Sequence, residues 1–245
     1  MPLGPAQNYF AEYNNYQLPG YVQSENMESL MNIASHYGAY IDGSPSEETG
    51  LQNKNLSLSL LVWETNYLTC KEQIELAATY LRSYRGGFAN LYVQYTDRHY
   101  EAMVTSIKMS KSVPSSVRTL EYQVDFECKP WIIGDTLHTI NSDTDEVGRT
   151  MVNGGWTPTV ATLTGTSVTV SGVTADAQST GSFITVGAVT GMIIDTEAFT
   201  ATIGGVNKNS MVTTKDYRLY VGPGRTTFTI TGGSASIAYY DRWYI

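Results

Sequence analysis

The sequence predicts a mainly β protein of two domains, with one helix, in the first. Three observations carry this. Period-two alternation recurs from residue 55 to the end of the chain, the mark of half-buried strands. One segment alone, residues 69–87, has helical spacing together with a start and a stop. From about residue 134 the composition turns to Thr, Ser, Val, Ile and Gly, and no helical pattern follows.

The elements follow in order. The first forty residues are rich in Tyr, Asn and Gln, with a turn signal at Pro19-Gly20, and read as an extended arm with few elements of its own. NLSLSLLVWE (55–64) is a strand with Leu56, Leu58, Leu60 and Val62 on one face. In TCKEQIELAATYLRSYRGG (69–87), Thr69 and Glu72 fit a capping box, and Gly86-Gly87 supplies a stop. Ile74, Ala77, Ala78, Leu81 and Tyr84 form its apolar stripe. Residues 90–110 read as a hairpin turning near Asp97-Arg98.

The next strand, 117–128, ends in VDFECKPW. Leu120, Tyr122, Val124, Phe126 and Cys128 share one face, and Glu121, Gln123, Asp125 and Glu127 the other. The first set requires a core, and the second suits water. Pro130 cannot donate to a ladder, so the strand is expected to stop there or to lie on an edge. The domain boundary is therefore expected between Pro130 and Trp156, giving domains 1–133 and 134–245. NSDTDEVGRTMVNGGW reads as a polar link. Beyond it TVATLTG, SVTVSGV, SFITVG, MIIDTEAFTATI, YRLYV, TTFTITG and SIAYYDRWYI are short strands. Gly204-Gly205, Pro223-Gly224 and Gly232-Gly233 separate them as turns, the pattern of a β-sandwich.

Charge and cysteine content narrow the function. The net charge is −8 over 245 residues, and both halves are acidic. Neither half suits a protein that grips nucleic acid through its phosphates. Cys70 and Cys128 are the only cysteines, too few for a disulfide scaffold and without metal-pair spacing, so both read as buried small hydrophobes. The N-terminus lacks the basic start and apolar run of a signal peptide, and no stretch reaches membrane-spanning length, so a soluble protein is expected.

Asp97, His99 and Glu101 alternate on one strand face, as metal ligands can. No second histidine lies near them, and a solvated hairpin tip is the preferred reading. Asn141, Asp143 and Asp145 begin like a calcium loop. Glu146 stands at the glycine position and Val152 at the bidentate position, so the match fails. VGPGRTT (221–227) lacks the lysine of a phosphate loop and fits a type II turn at Pro223-Gly224. No nucleophile or zinc-hydrolase signature occurs, so neither a catalytic residue, a metal nor a cofactor is expected. Trp156, Tyr239, Tyr240, Trp243 and Tyr244 gather at the ends of the second domain. They read as core aromatics before a sugar platform.

Taken in order, several stretches resemble the distal tail protein family of long-tailed, non-contractile bacteriophages. They are YIDGSPSEETGLQNKNLSLSLLVWE, CKEQIELAATYLRSYRGG and DFECKPW, then GMIIDTEAFTATIGGVNKNS and YVGPGRTTFTITGGSASIAYYDRW. The resemblance implies an N-terminal split β-barrel with one helix and a C-terminal galectin-like β-sandwich. It implies a homohexameric ring between the tail tube protein and the tail tip or baseplate hub protein. DNA would pass through the ring without specific binding, and the protein would reside in the virion after assembly in the host cytoplasm. Glu121, Gln123, Asp125 and Glu127 would then be candidates to face the channel. The alternative is a carbohydrate-binding β-sandwich module used in host-surface adsorption. The histidine–asparagine–arginine run with which galectins hold galactose has no counterpart here.

Overall fold

The computed structural model describes residues 10–28, 34–35, 46–47, 53–84, 87–109, 118–140, 146–150, 157–174, 179–184, 189–213, 219–221 and 224–244. The chain divides into two compact units, Met1–Ile132 and Ile133–Ile245. Antiparallel strands dominate both, and the one α-helix among the described residues lies in the first unit.

The first unit begins with β1 (Ala11–Tyr13), β2 (Tyr16–Gln17) and β3 (Tyr21–Glu28). The expected arm is thus built into the sheet. β1 pairs with a later strand, and β3 pairs along its length with β6 (Lys54–Trp63). The tyrosines and apolar residues explain the difference, because Tyr13 and Leu18 are fully buried and anchor the segment. Between β3 and β6 lies the short pair β4 (Ala34–Ser35) and β5 (Ser46–Glu47).

Helix α1 (Tyr67–Ser83) follows β6. Its N-cap is Asn66, whose Oδ1 accepts from the Thr69 amide at 3.0 Å. The Thr69–Glu72 capping box is therefore corrected. Thr69 lies inside the first turn, and its own hydroxyl donates to Asn66 Oδ1 at 3.2 Å. An asparagine oxygen three residues earlier takes the capping role, accepting from the amide of Thr69 itself rather than leaving Thr69 to cap the amide of Glu72. The helix ends at Ser83, ahead of the two glycines. Cys70, Ile74, Ala77 and Leu81 are its buried residues, while Tyr84 is exposed.

β7 (Ala89–Val93) and β8 (Arg98–Met109) form the expected hairpin. β9 (Thr119–Ile140) completes the unit, whose strand order is β2-β1-β7-β8-β9, with β6 on β9 and β3 on β6. β6 and β9 alternate in step. Leu56, Leu58, Leu60 and Val62 lie with Leu120, Tyr122, Val124 and Phe126 on one buried face. Tyr13 packs on Phe126 at 5.5 Å, and the Tyr100 hydroxyl of β8 reaches Glu25 Oε1 of β3 at 3.0 Å. The sheet therefore coils over its own core. No closed barrel occurs among the described strands.

The strand does not stop at Pro130. β9 runs on to Ile140 and enters the second unit. The β6 ladder ends at the Lys54–Cys128 pair, so the missing N–H at 130 breaks no bond of that ladder.

The second unit contains β10 (Glu146–Thr150), β11 (Thr157–Pro158), β12 (Val160–Thr174), β13 (Ser179–Ile184), β14 (Met192–Asp195), β15 (Thr200–Ile203), β16 (Val206–Asn207), β17 (Tyr220–Val221) and β18 (Gly224–Tyr244). Its order is β16-β15-β14-β12-β18, and β18 also pairs with β9. β10 pairs with β18, so part of the expected polar link is a strand. Leu163, Val170, Ile194, Phe228 and Ile237 lie in its core.

Gly204 and Gly205, both at positive φ, join β15 to β16 as expected of a tight hairpin. Gly232-Gly233 is not a turn. It lies inside β18 opposite Gly165 of β12, where the ladder shifts register between Gly165 and Thr169. Two pairs of predicted short strands are thus two long ones, irregular at one shared place. Gly232 has φ +79, and a Cβ there would stand 1.8 Å from the Ser167 carbonyl oxygen. Glycine marks a bulge with close backbone approach here, a role its sequence signal shares with turns.

Candidate functional site

The acidic set on β9 lies on the face of the sheet away from the core. β6 lies along one side of it, with cross-strand pairs Ser57–Asp125, Ser59–Gln123 and Asn55–Glu127. β3 extends the same rows, since Asn26 pairs with Ser57 and Ser24 with Ser59. β8 contributes Ser106 and Lys108 from the other side of β9. The NLSLSL alternation is the local cause. It sends leucines inward and serines outward to meet the acids.

Asp125 is the hub. Its carboxylate accepts from Ser57 Oγ at 2.8 Å, Gln123 Nε2 at 2.5 Å, Ser106 Oγ at 2.5 Å and Lys108 Nζ at 2.8 Å. The Thr105 hydroxyl donates to its backbone carbonyl at 2.9 Å. Burial works against the charge. The bonds from Lys108, Ser106, Gln123 and Ser57 outweigh it and hold the carboxyl well below its usual range. Glu121 accepts from Ser59 Oγ, and Glu127 accepts from Asn53 Nδ2 at 2.7 Å. Asn26, Asn55, Ser57, Thr105, Lys108 and Gln123 line an open polar cleft around Asp125.

Glu121, Gln123, Asp125 and Glu127 thus share one face as expected, but all four are half-buried. Hydroxyl and lysine donors on β6 and β8, with the Asn53 amide just before β6, cover what the alternation left to water. Those donors were not singled out in the sequence. Their signal is the serine half of NLSLSL, which becomes informative only once the β6–β9 register is known.

The core side holds a second polar group. Glu25 shares the buried face of β3. Burial raises its carboxyl, against the bond from Tyr100. Tyr100 is raised by burial first, then by the Glu25 charge. Lys54 is 3% exposed, and burial lowers its ammonium. Cys128, directly across the ladder from Lys54, is fully buried, and burial foremost pushes its thiol up to about 12. A thiol so placed is unreactive near neutral pH.

The other candidates separate. Asp97 pairs with its neighbour Arg98 at 3.0 Å, His99 packs on Tyr92, and Glu101 pairs with Lys129 at 2.9 Å. Among the described residues no three metal-ligating side chains converge. Asn141, Asp143, Asp145, Trp156 and Pro223 lie outside the described residues. Tyr239 belongs to the second unit's core and Tyr240 is exposed. The Trp243 ring lies against Gly134, where a Cβ would stand 3.1 Å from it. Within that unit His138 Nε2 meets Asp241 Oδ2 at 3.0 Å and the His138 ring stacks on Tyr239.

No family model and no curated protein matches the chain. Among solved structures, the crystal structure of Dit from phage SPP1 matches with a TM-score of 0.70 over 96% of this chain and 98% of that one, at 13% identity. The chain has the fold of SPP1 Dit. That protein is described as a paradigm of the hub adsorption apparatus in phages that infect Gram-positive bacteria. Two structures of the phage P2 baseplate in its activated conformation, with Ca and with Sr, match at 10% identity. Their TM-scores are 0.40 and 0.41, covering 95% of this chain in each case and 89% and 91% of those chains.

Proposed function

We propose that this chain is a structural, non-enzymatic component of a phage tail. It forms a homohexameric ring that joins the tail tube to the tip or baseplate hub and lets DNA pass through its channel. The observation that carries this is fold similarity to SPP1 Dit along nearly the whole of both chains, through both units. Fold alone does not determine function, so the reading rests on analogy at the level of a whole two-unit architecture. In this reading the first unit builds the ring and the second is the galectin-like unit of the family, with the boundary near Ile133. The protein resides in the virion and assembles with tail proteins in the host cytoplasm.

The charge pattern supports the channel half of the proposal. The face bearing Glu121, Asp125 and Glu127 has no apolar row along its middle and presents hydroxyls, amides and carboxylates. Six copies would surround DNA with like charge, which disfavours lasting phosphate contact. Negative-stain images of the purified protein test the ring, with six-fold rings open at the centre as the expected result. Fields of single particles at all concentrations would refute it. The channel assignment is tested by changing Glu121 and Glu127 to lysine in assembled particles. DNA ejection should slow or stall. Normal ejection from particles shown to contain the variant would remove this face from the channel and leave the ring standing.

A further inference from the structure

Three tyrosines form a row where the N-terminal strands meet the end of α1. Tyr16 of β2 stacks on Tyr80 of α1, with ring centroids 4.1 Å apart and planes 18° apart. Tyr80 in turn meets Tyr84, the C-cap residue, at 4.9 Å and 44°. The helix sets this second contact, because side chains four apart lie on one face. The hydroxyls add to it. That of Tyr80 donates to the Asn14 carbonyl, in the turn between β1 and β2, at 2.9 Å, and it also meets the Tyr84 hydroxyl. None of the three rings belongs to the buried core. Tyr84 is 42% exposed, and Tyr16 and Tyr80 are half-buried.

We propose that Tyr80 and Tyr84 are a site of oxidative coupling, where one-electron oxidation driven by hydrogen peroxide joins the two rings as a dityrosine. The inference concerns the first unit alone and does not depend on the ring. Phenoxyl radicals couple through the carbon beside the one that bears oxygen, where much of the unpaired spin lies. Hydroxyls that meet bring those carbons of Tyr80 and Tyr84 together. A bond between two aromatic rings lies in the plane of each and accommodates a twist between them, so rings tilted at 44° suit it. The Tyr16–Tyr80 contact is of the other kind. Its faces overlie each other, as offset-stacked rings do, and one ring must leave the stack before such a bond can form.

The step balances. Each phenol gives up one electron and its hydroxyl proton. The two radicals form one carbon–carbon bond. Each joined carbon then loses its hydrogen as a proton, and each oxygen regains one, which restores both aromatic rings and both hydroxyls. Two hydrogen atoms are lost in all, and they reduce one hydrogen peroxide to two waters. Placement agrees with the chemistry. The exposed edge of Tyr84 admits a small oxidant, and the bond to Asn14 holds Tyr80 beside it. The product braces the last turn of α1.

The site is tested in the purified full-length protein, treated with hydrogen peroxide and a trace of free haem and then digested with trypsin. Trypsin cuts after Lys71, Arg82 and Arg85, so Tyr80 lies in EQIELAATYLR and Tyr84 in SYR. The two peptides should appear joined or uncut, at their expected mass less two hydrogens. They should come from chains that run singly on a denaturing gel and show dityrosine fluorescence. Tyr80→Phe and Tyr84→Phe should each lose this product, and Tyr16→Phe should keep it. Circular dichroism checks that each variant retains its fold. The same product in Tyr84→Phe would overturn the site. So would coupling at the more exposed Tyr21 or Tyr95 with both peptides left intact, or oxidation confined to methionine with no dityrosine formed.

Discussion

Removing the Asp125 carboxylate should weaken the first unit more than an ordinary surface change. In Asp125→Ala four donors lose their acceptor. Lys108 is 65% exposed and turns to water, so its share is about 0–1 kcal/mol. Ser57, Ser106 and Gln123 are half-buried, and a bond from such a donor to a charged group is worth about 1.5–3 kcal/mol. The three do not add, because serine hydroxyls rotate and neighbouring groups relax together. The net expectation is about 2–4 kcal/mol, roughly 6–15 °C in the unfolding transition of that unit. The pH dependence has a definite sign. The folded carboxyl titrates below its unfolded value of about 3.9, so its contribution is present above that pH and disappears as pH falls through the folded value. Urea melts at pH 7, 5, 4 and 3 should show the gap between wild type and Asp125→Ala narrowing on acidification. A gap under about 0.5 kcal/mol at pH 7, or one that widens with acid, would refute the hub.

Three further outcomes follow from the same geometry. Leu81 is 1% exposed on the helix stripe, so Leu81→Ala should cost about 2–5 kcal/mol in a denaturant melt. Asn66→Ala should cost about 1 kcal/mol through the lost cap, and Thr69→Ala clearly less, since Thr69 supplies its amide whatever its side chain. Glu25→Gln should keep the Tyr100 bond and remove a buried charge. Because burial raises the Glu25 carboxyl, the wild type loses stability as pH rises from about 4.3 through the folded value. The variant should be flat across that window and at least as stable at pH 7.5, by thermal melts from pH 4 to 8.

How legible the protein was in its sequence depends on range. Period two placed Leu56 to Val62 and Leu120 to Cys128 on buried faces, because alternation is local and the core is one-sided. Helical spacing likewise found Ile74, Ala77 and Leu81. The misses are those where a distant partner decides. Pro130 stops a strand only if its N–H is needed, and the β6 ladder, which ends at Cys128, does not need it. Gly232 and Gly233 are turn residues by type, and only their position opposite Gly165 makes them a bulge. The arm became strands because β6 and β7 were free to receive it. In the candidate site the acids were visible as one face, but not Ser57, Ser106 and Lys108, which reach Asp125 from strands 68, 19 and 17 residues away.

The central claim is the closed ring, and the mass of the native assembly tests it most directly. Each chain is 26.9 kDa, so native mass spectrometry of the purified protein should give one dominant species of six chains, about 160 kDa. Light scattering should hold that mass over a hundredfold dilution. A species of 26.9 kDa throughout, or an open series of sizes without a dominant six, would contradict the account.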